Sequence, residues 1–314
     1  MGFHVTMVGR RLLQALVVLL CISFVTFVLT YLAPGDPAIA MYEAVGITPS
    51  AEMVEAARSA MGLDRPFAVQ YISWLNKIIH ADFGISFSKN TAVWTLLSSR
   101  LLNTAYIAFT SLSIMLVLSL PLGVMSALKH RRWIDYAIRI LTFIGISIPG
   151  FWLGLILMDF IAVRLGLVPV VSSAGDWRSL VLPSTTLGIA MASKYTRQVR
   201  TAVLEELSQD YVMGARARGL KENTIIWRHV MPNSILPLIT LLGLSCGSLL
   251  GGTAVVEIIF SYPGMGNLAV NAVAARDYPL IQGFVLWIAV IYMVINLAVD
   301  LSYQIIDPRI REGR

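Results

Sequence analysis

Gly264-Met265-Gly266-Asn267-Leu268-Ala269 matches the loose pattern G-x-G-x-x-A, whose glycines let a backbone approach a dinucleotide pyrophosphate at a helix N-terminus. That chemistry also needs a preceding β-strand and an acid about twenty residues further on. Neither is present, so the segment reads as a tight turn into a short helix. Nucleotide hydrolysis is no better served. A P-loop places Gly-Lys-Ser/Thr at the head of a helix, and none of the five lysines follows a glycine. His4, His80, His130 and His229 share no helical i,i+4 face, so no metal-ligand cluster is expected. An intramembrane hydrolase would need a nucleophile and a base at one depth, and no histidine falls within an apolar run. No catalytic residue and no cofactor are expected on this chain.

Polar groups inside the apolar runs remain to be explained. Asn296, Asp300 and Gln304 recur at i,i+4 and put three polar groups on one helix face. Such a stripe must meet protein or water rather than lipid. Asp159 and Glu257 lie near the ends of apolar runs, where they are expected to reach water. Ser245, Ser248 and Gly252 share a face within a run of small residues. They suit either close helix packing or a sparsely charged lumen, and they are the candidate pathway-lining residues.

These groups sit on a chain that is 57% hydrophobic and 13% charged, with a mean hydropathy of +0.74. Soluble domains are about 25% charged. The net charge of +6 would suggest nucleic acid in a soluble protein, but here its distribution marks topology, and no nucleic-acid partner is expected. Cys21 and Cys246 both lie in apolar runs and make no disulfide framework. Leu12 to Leu32, preceded by Arg10 and Arg11, reaches roughly 31 Å, enough to cross a bilayer. Its length, with no small-x-small cleavage site after it, favours an anchor over a signal peptide.

Further spans are expected at about 103–128, 137–163, 235–256 and 281–305, with Pro121 and Pro149 kinking the second and third. A weaker segment at 180–195 is diluted by Ser184, Thr185, Thr186 and Ser193. Charge decides in its favour. If it crosses, Arg10, Arg11, Lys129, Arg131, Arg132, Lys194, Arg197, Arg200, Arg309, Arg311 and Arg314 all fall on the inner side, and the short outer loops keep only Arg164, Arg178 and Arg276. The expected fold is an all-α polytopic membrane protein with six transmembrane helices and both termini cytoplasmic. Its segments are 1–33 (cytoplasmic N-terminus and first span), 34–100 (an extracytoplasmic helical insertion) and 101–314 (a five-helix core). In the insertion, Thr48-Pro49 is expected to cap a helix ending at Gly62, and Phe67 to His80 forms an amphipathic helix closed by Asp82-Phe83-Gly84.

The longest inner loop, about 197–234, contains DYVMGARARGLKENTIIWRHVMPN at 210–233. Glu205 to Arg218 has helical composition, and Gly219 sits where a left-handed residue would end a helix. Lys221 to Val230 then forms a second short helix, with Pro232 as its stop. A basic loop lying on anionic headgroups is the plainer alternative. The spacing of Ala215, Gly219 and Pro232 resembles the EAA loop of importer-type ABC permeases, although Met213 and Gly214 stand where that motif has Glu and its first Ala. PGDP at 34–37, GLDRP at 62–66, DFGISF at 82–87, EIIFSYPGMG at 257–266, RDYPLIQG at 276–283 and NLAVDLSYQIIDPRIR at 296–311 extend the likeness along essentially the whole chain. The sequence resembles the dipeptide/oligopeptide/nickel ABC transporter permease family. DFGISF, the compact chain and the short loop at 164–179 incline it toward the nickel or metal-chelate branch.

The resemblance implies a type I ABC importer permease fold in a bacterial inner membrane. It also implies a second homologous permease, two ABC ATPases carrying ATP and Mg, and an extracytoplasmic solute-binding protein. Ala215, Arg216, Arg218, Gly219, Leu220 and Pro232 would couple to the ATPases. Pro263, Gly264, Gly266 and Asp277 would approach the binding protein. An ATP-independent transporter or channel is the alternative; it predicts a charged midplane site or inverted repeats, and neither is visible. The topology is testable by cysteine labelling of intact cells. Ser88→Cys should react with an impermeant reagent from outside and Asn223→Cys only after the membrane is opened; external labelling at 223 would overturn the six-span order.

Overall fold

The computed structural model describes residues 2–173 and 175–306 and is all-α. Its helices are α1 (Gly2–Tyr31), α2 (Pro37–Glu43), α3 (Ala51–Met61), α4 (Phe67–Ile79), α5 (Val93–Leu128), α6 (Trp133–Ser147), α7 (Gly150–Leu157), α8 (Arg178–Leu207), α9 (Asp210–Ala217), α10 (Glu222–Ile225), α11 (Met231–Ile259), α12 (Met265–Ala274) and α13 (Tyr278–Ile306). Wider π turns extend α7 over Met158–Arg164 and join α10 to α11 over Ile226–Val230. Among the described residues the nearest thing to a sheet is one isolated bridge, Ile85 to Ala92. The chain divides into two compact units, one of residues 1–104 with 263–294 and one of residues 105–262 with the stretch from 295 onward. This division follows packing, whereas the segments 1–33, 34–100 and 101–314 follow expected topology.

Among the described residues, three helices are long and apolar enough to cross a membrane as they stand: Leu13–Tyr31, Val93–Leu128 and Tyr278–Val299. Two bent pairs raise that number to five. The third expected span is not one kinked helix, because α6 and the helix beginning at Gly150 meet at 99°. Pro149 has no N–H to continue the ladder and forces Ile148 out of the α region, to φ −80° and ψ 124°. The second bend, 41°, falls between Ile235 and Pro237. The weak segment at 180–195 lies inside α8, which is 30 residues long and carries Pro183 near its start.

In the second unit, α5 and α8 approach through glycine. A Cβ on Gly188 would lie 2.7 Å from Ile114 Cγ2 and 3.1 Å from the Ser111 carbonyl oxygen. A Cβ on Gly123 would lie 2.6 Å from Val199 Cβ and 2.9 Å from the Thr196 carbonyl oxygen. Small residues allow such contact where lipid supplies little hydrophobic drive for helix association. The Thr110 and Ser184 hydroxyls, 2.5 Å apart, add a hydrogen bond between the same helices. Met115, Val124, Tyr195, Val199 and Val203 fill the space between them, and the Tyr195 hydroxyl donates to the Leu238 carbonyl of α11.

In the first unit, the cap of α3 is Ser50 rather than Thr48: its Oγ accepts from the Met53 N–H at 3.3 Å, and Gly62 ends the helix at φ +71°. The second span begins at Val93, ten residues before its expected start, because Val93 and Leu97 are fully buried against Met265, Leu268, Ala272 and Leu280. α4 packs on α1 through aromatic rings.

The α5–α8 contact yields a stability prediction. Gly123→Ala should destabilise the protein by about 1–3 kcal/mol, since the carbonyl of Thr196 cannot yield as a side-chain end would. Gly214→Ala, with no atom within 4 Å of the added carbon, should leave the detergent-solubilised melting temperature unchanged or slightly raised. Equal melting of the two variants would remove Gly123 from the helix contact.

Candidate functional site

The loop that joins α8 to α11 folds as a knob built on the second unit. α8 stops at Leu207, and Gln209, in extended conformation, precedes α9; the expected single helix over 205–218 is therefore two helices. The chain then turns through Gly219 at φ +76°, a left-handed value that costs glycine nothing. Pro232 does not stop the second helix. The chain stays helical from Glu222 through the π turn into α11, and Pro232 occupies the first turn of α11, where the wider preceding turn absorbs its missing N–H.

Burial sorts the knob into two faces. Val212, Ala215, Ile225 and Val230 are 2% exposed or less and belong to the same apolar cluster as Val199 and Val203 of α8. Met213, Arg216, Arg218, Leu220, Trp227 and Pro232 are exposed. Arg216 Nε donates to Glu222 Oε1 at 2.6 Å, closing the Gly219 turn, and this pairing raises the guanidinium above its ordinary value. Both partners are solvent-exposed, so the pair contributes at most about 1 kcal/mol. The Tyr211 hydroxyl donates to Glu206 Oε2 at 2.6 Å and accepts from Asn233 at 3.2 Å, tying α9 to the ends of α8 and α11. Burial, then the Glu206 carboxylate, pushes the Tyr211 phenol up.

A buried ion pair anchors the helix that carries the knob. The Asp135 carboxylate, fully buried in the first turn of α6, receives both prongs of Arg200 on α8, Nε to Oδ1 at 2.8 Å and Nη2 to Oδ2 at 2.9 Å. Ser126 Oγ of α5 donates to Oδ1 at 2.6 Å, and the Arg131 N–H donates to Oδ2 at 3.0 Å. Arg131 itself sits at φ +59°, unusual for a non-glycine residue. Sequence reading counted Arg131 and Arg200 only as topology markers and passed over Asp135. The available signal was a lone acid beside three basic residues at the start of an apolar run.

The chain matches the family model described as "Binding-protein-dependent transport system inner membrane component" over residues 119–312, and the corresponding N-terminal model over residues 4–108. The chain belongs to this family. It is 37% identical over 302 residues to the glutathione transport system permease protein GsiC of Salmonella choleraesuis (strain SC-B67), covering 96% of this chain and 97% of that protein. The same-named protein of Escherichia coli (strain K12) is 35% identical over 302 residues. The fold matches the inward-facing MetNI methionine ABC transporter at 20% identity and TM-score 0.54, covering 68% of this chain and 97% of that one. A second match is an amino acid ABC transporter crystallised with histidines, at 17% identity and TM-score 0.52, covering 68% and 94%. The protein is thus an ABC importer permease of the inner membrane, a transport component and not an enzyme. An ATP-independent carrier is set aside.

The remaining expected site residues of the permease are placed as follows. Ser245 is half-buried on α11, with its Oγ donating to the Leu241 carbonyl at 2.7 Å. The side chains at Ser248, Gly252, Asp300 and Gln304 lie outside the described residues, as do Arg309, Arg311 and Arg314. Glu257 does not reach water as expected, since it is fully buried. Gly264 and Gly266 are buried, and the Pro263 carbonyl accepts from Asn103 at 2.8 Å. The turn does lead into a short helix, α12. Asp277 is fully buried and accepts from Ser86 Oγ at 2.5 Å, Ser88 Oγ at 2.8 Å and the Ser88 N–H at 3.0 Å. Its carboxylate holds the 82–92 turn and is not presented for contact with a partner. Ser88 is consequently a poor labelling site, and exposed Lys89 is the better outer reporter. Among the described residues, no group of three His, Cys, Asp or Glu could hold a metal ion.

The ion pair supplies the test for this part of the molecule. Asp135→Asn should destabilise the permease by about 3 kcal/mol or more, since it strands a largely buried guanidinium. Arg200→Lys keeps the charge but loses the two-pronged geometry and should cost less. Thermal unfolding in detergent checks the order, and equal, negligible effects would show that the pair holds nothing.

Proposed function

We propose that this permease forms half of the translocation path of a binding-protein-dependent importer and receives the ATPase stroke through the knob at 210–232. A second homologous permease completes the path, two cytoplasmic ATPases bind ATP and Mg, and an extracytoplasmic binding protein delivers the solute. The observation that carries this reading is the two-faced knob. Val212, Ala215 and Ile225 are rooted in the core cluster of α5 and α8, while Met213, Arg216, Arg218, Leu220 and Trp227 are left outward. A headgroup-binding loop would need only the basic residues, and would not need the buried roots or the Gly219 turn. With six spans and both termini inside, this face is cytoplasmic, where the ATPases are.

The solute is proposed to be a small peptide. Support comes from full-length identity to two permeases named for glutathione transport, itself a tripeptide. The nickel or metal-chelate inclination rested on loop length and DFGISF, a weaker footing than identity along 302 residues. Ser245, Ser248 and Gly252 on α11 are proposed to line the path, because a small polar helix face gains nothing from contact with lipid.

Coupling is tested at the turn. Gly219 has no atom within 4 Å of a built Cβ, so a side chain there meets no clash and only backbone strain. A left-handed β-branched residue costs about 1–2 kcal/mol. Gly219→Val should therefore leave the spans inserted but reshape the knob. The expected outcome is loss of ATPase co-purification, or ATP hydrolysis without uptake, when both permeases and the ATPases are co-expressed with the binding protein. Normal uptake would make the glycine a dispensable helix end and remove the knob from the coupling path.

A further inference from the structure

The helix α4 was expected to stand outside the membrane, yet it is packed on the first span. The Phe67 ring lies 5.0 Å from Tyr31, 5.5 Å from Phe27 and 6.2 Å from Phe24, centroid to centroid. Tyr71 meets Phe24 at 5.4 Å and Phe27 at 5.5 Å, and Trp74 meets Phe27 at 5.4 Å. Deepest of all, the Tyr71 hydroxyl is 2.9 Å from Ser23 Oγ, a side chain at a position only 2% exposed.

Depth follows from helix geometry. From Arg11 to Tyr31 is about 30 Å at 1.5 Å per residue, the thickness of the hydrocarbon core. With the basic pair Arg10 and Arg11 at one boundary, Tyr31 stands at the other. Phe27 and Ser23 then lie about 6 Å and 12 Å below it. The crossing of α4 over α1 is therefore below the membrane boundary, with Tyr31 at the level where aromatic side chains concentrate and the Tyr71 hydroxyl deeper, beside Ser23.

The other two faces of α4 agree with that depth. Gln70, Ser73 and Lys77, at steps of three and four, line a cavity of about 1320 Å³ together with Asp36, Arg58 and Gln282. Val69, Ile72 and Ile79 recur at helical spacing on a third side, about a third of a turn around from the polar one, and remain 44%, 65% and 73% exposed. One face is thus aromatic and meets α1, one is polar and meets an open cavity, and one is aliphatic and uncovered. Asn76, within the aliphatic stripe, lies one turn from the polar end His80-Ala81-Asp82.

We infer that α4 lies in the leaflet at the Tyr31 end of α1, with Val69, Ile72 and Ile79 against lipid acyl chains and Gln70, Ser73 and Lys77 on the watered side. Amphipathic helices sink into the boundary of the acyl region by about 5–10 Å, the depth that the contacts with Phe24 and Phe27 impose. The insertion after the first span is then a membrane-seated element, and its cavity opens at the membrane surface. This inference rests on α1 being a span and does not depend on how the knob couples.

Spin labels on the assembled complex in lipid nanodiscs test it, with Cys21→Ala and Cys246→Ala as background. Labels at Ile72→Cys and Ile79→Cys should collide several-fold more with oxygen, which partitions into acyl chains, than with water-soluble chromium oxalate. A label at Ser73→Cys should show the reverse. If oxalate reaches Ile72→Cys as readily as oxygen, the helix is in water and the inference fails. If neither reagent reaches it, protein covers the face, from a second permease or a binding protein, and the inference fails as well. Should Ile72→Cys not assemble, Val69→Cys reports on the same face with the same outcomes.

Discussion

One carboxylate holds together the end of the second unit from which the knob grows. Asp135 is wholly buried and takes four hydrogen bonds, two from Arg200 on α8, one from Ser126 on α5 and one from the backbone of Arg131. A buried charge with fewer partners would cost several kcal/mol. The geometry therefore tolerates little relative motion of α5, α6 and α8 at this point without losing the pair. Arg200 is two turns before the end of α8, and α9 begins three residues past that end. Force applied to the knob meets this pin before it can reach the rest of α8.

The same unit shows how a membrane protein packs helices without a strong hydrophobic drive between them. α5 and α8 meet where Gly188 faces Ile114 and Gly123 faces Val199, and the short polar contact of Thr110 with Ser184 lies along the same seam. The knob is continuous with this seam, because Val212, Ala215 and Ile225 share a cluster with Val199 and Val203. On the coupling role proposed above, a knob rooted in this seam would pass movement to α5 and α8 through packed side chains.

The first unit uses polar burial differently. Among the described residues Asp277 pairs with no cation and is satisfied by hydroxyl and amide donors, which fasten the 82–92 turn to the start of α13. Gln282 on the same helix donates to Thr30 of α1 at 2.6 Å. Asp277, just before α13, and Gln282, within it, therefore anchor both the insertion and the first span. RDYPLIQG, matched at first only as a family segment, contains both of them.

Much of this protein could be read from residue types alone. Apolar runs of about twenty residues bounded by arginine reveal helical spans, since a helix satisfies its backbone groups internally within lipid. Gly219 announced its left-handed turn because few other residues tolerate it, and the order of short motifs identified the family. What sequence periodicity could not supply were contacts between distant segments. Asp135 and Arg200 are 65 residues apart, and each alone looks like an ordinary flanking charge. Family resemblance places Asp277 among the residues approaching the binding protein, yet it is buried and bonded to two serines about 190 residues earlier. Pro149 and Pro232 illustrate the limit from the other side. Both lack an N–H, but the first turns the chain by 99° while the second begins a helix without interrupting it. Pro149 follows an extended Ile148 and Pro232 follows a π turn, and which of these the preceding backbone adopts depends on packing against distant segments that neighbouring residue types do not disclose.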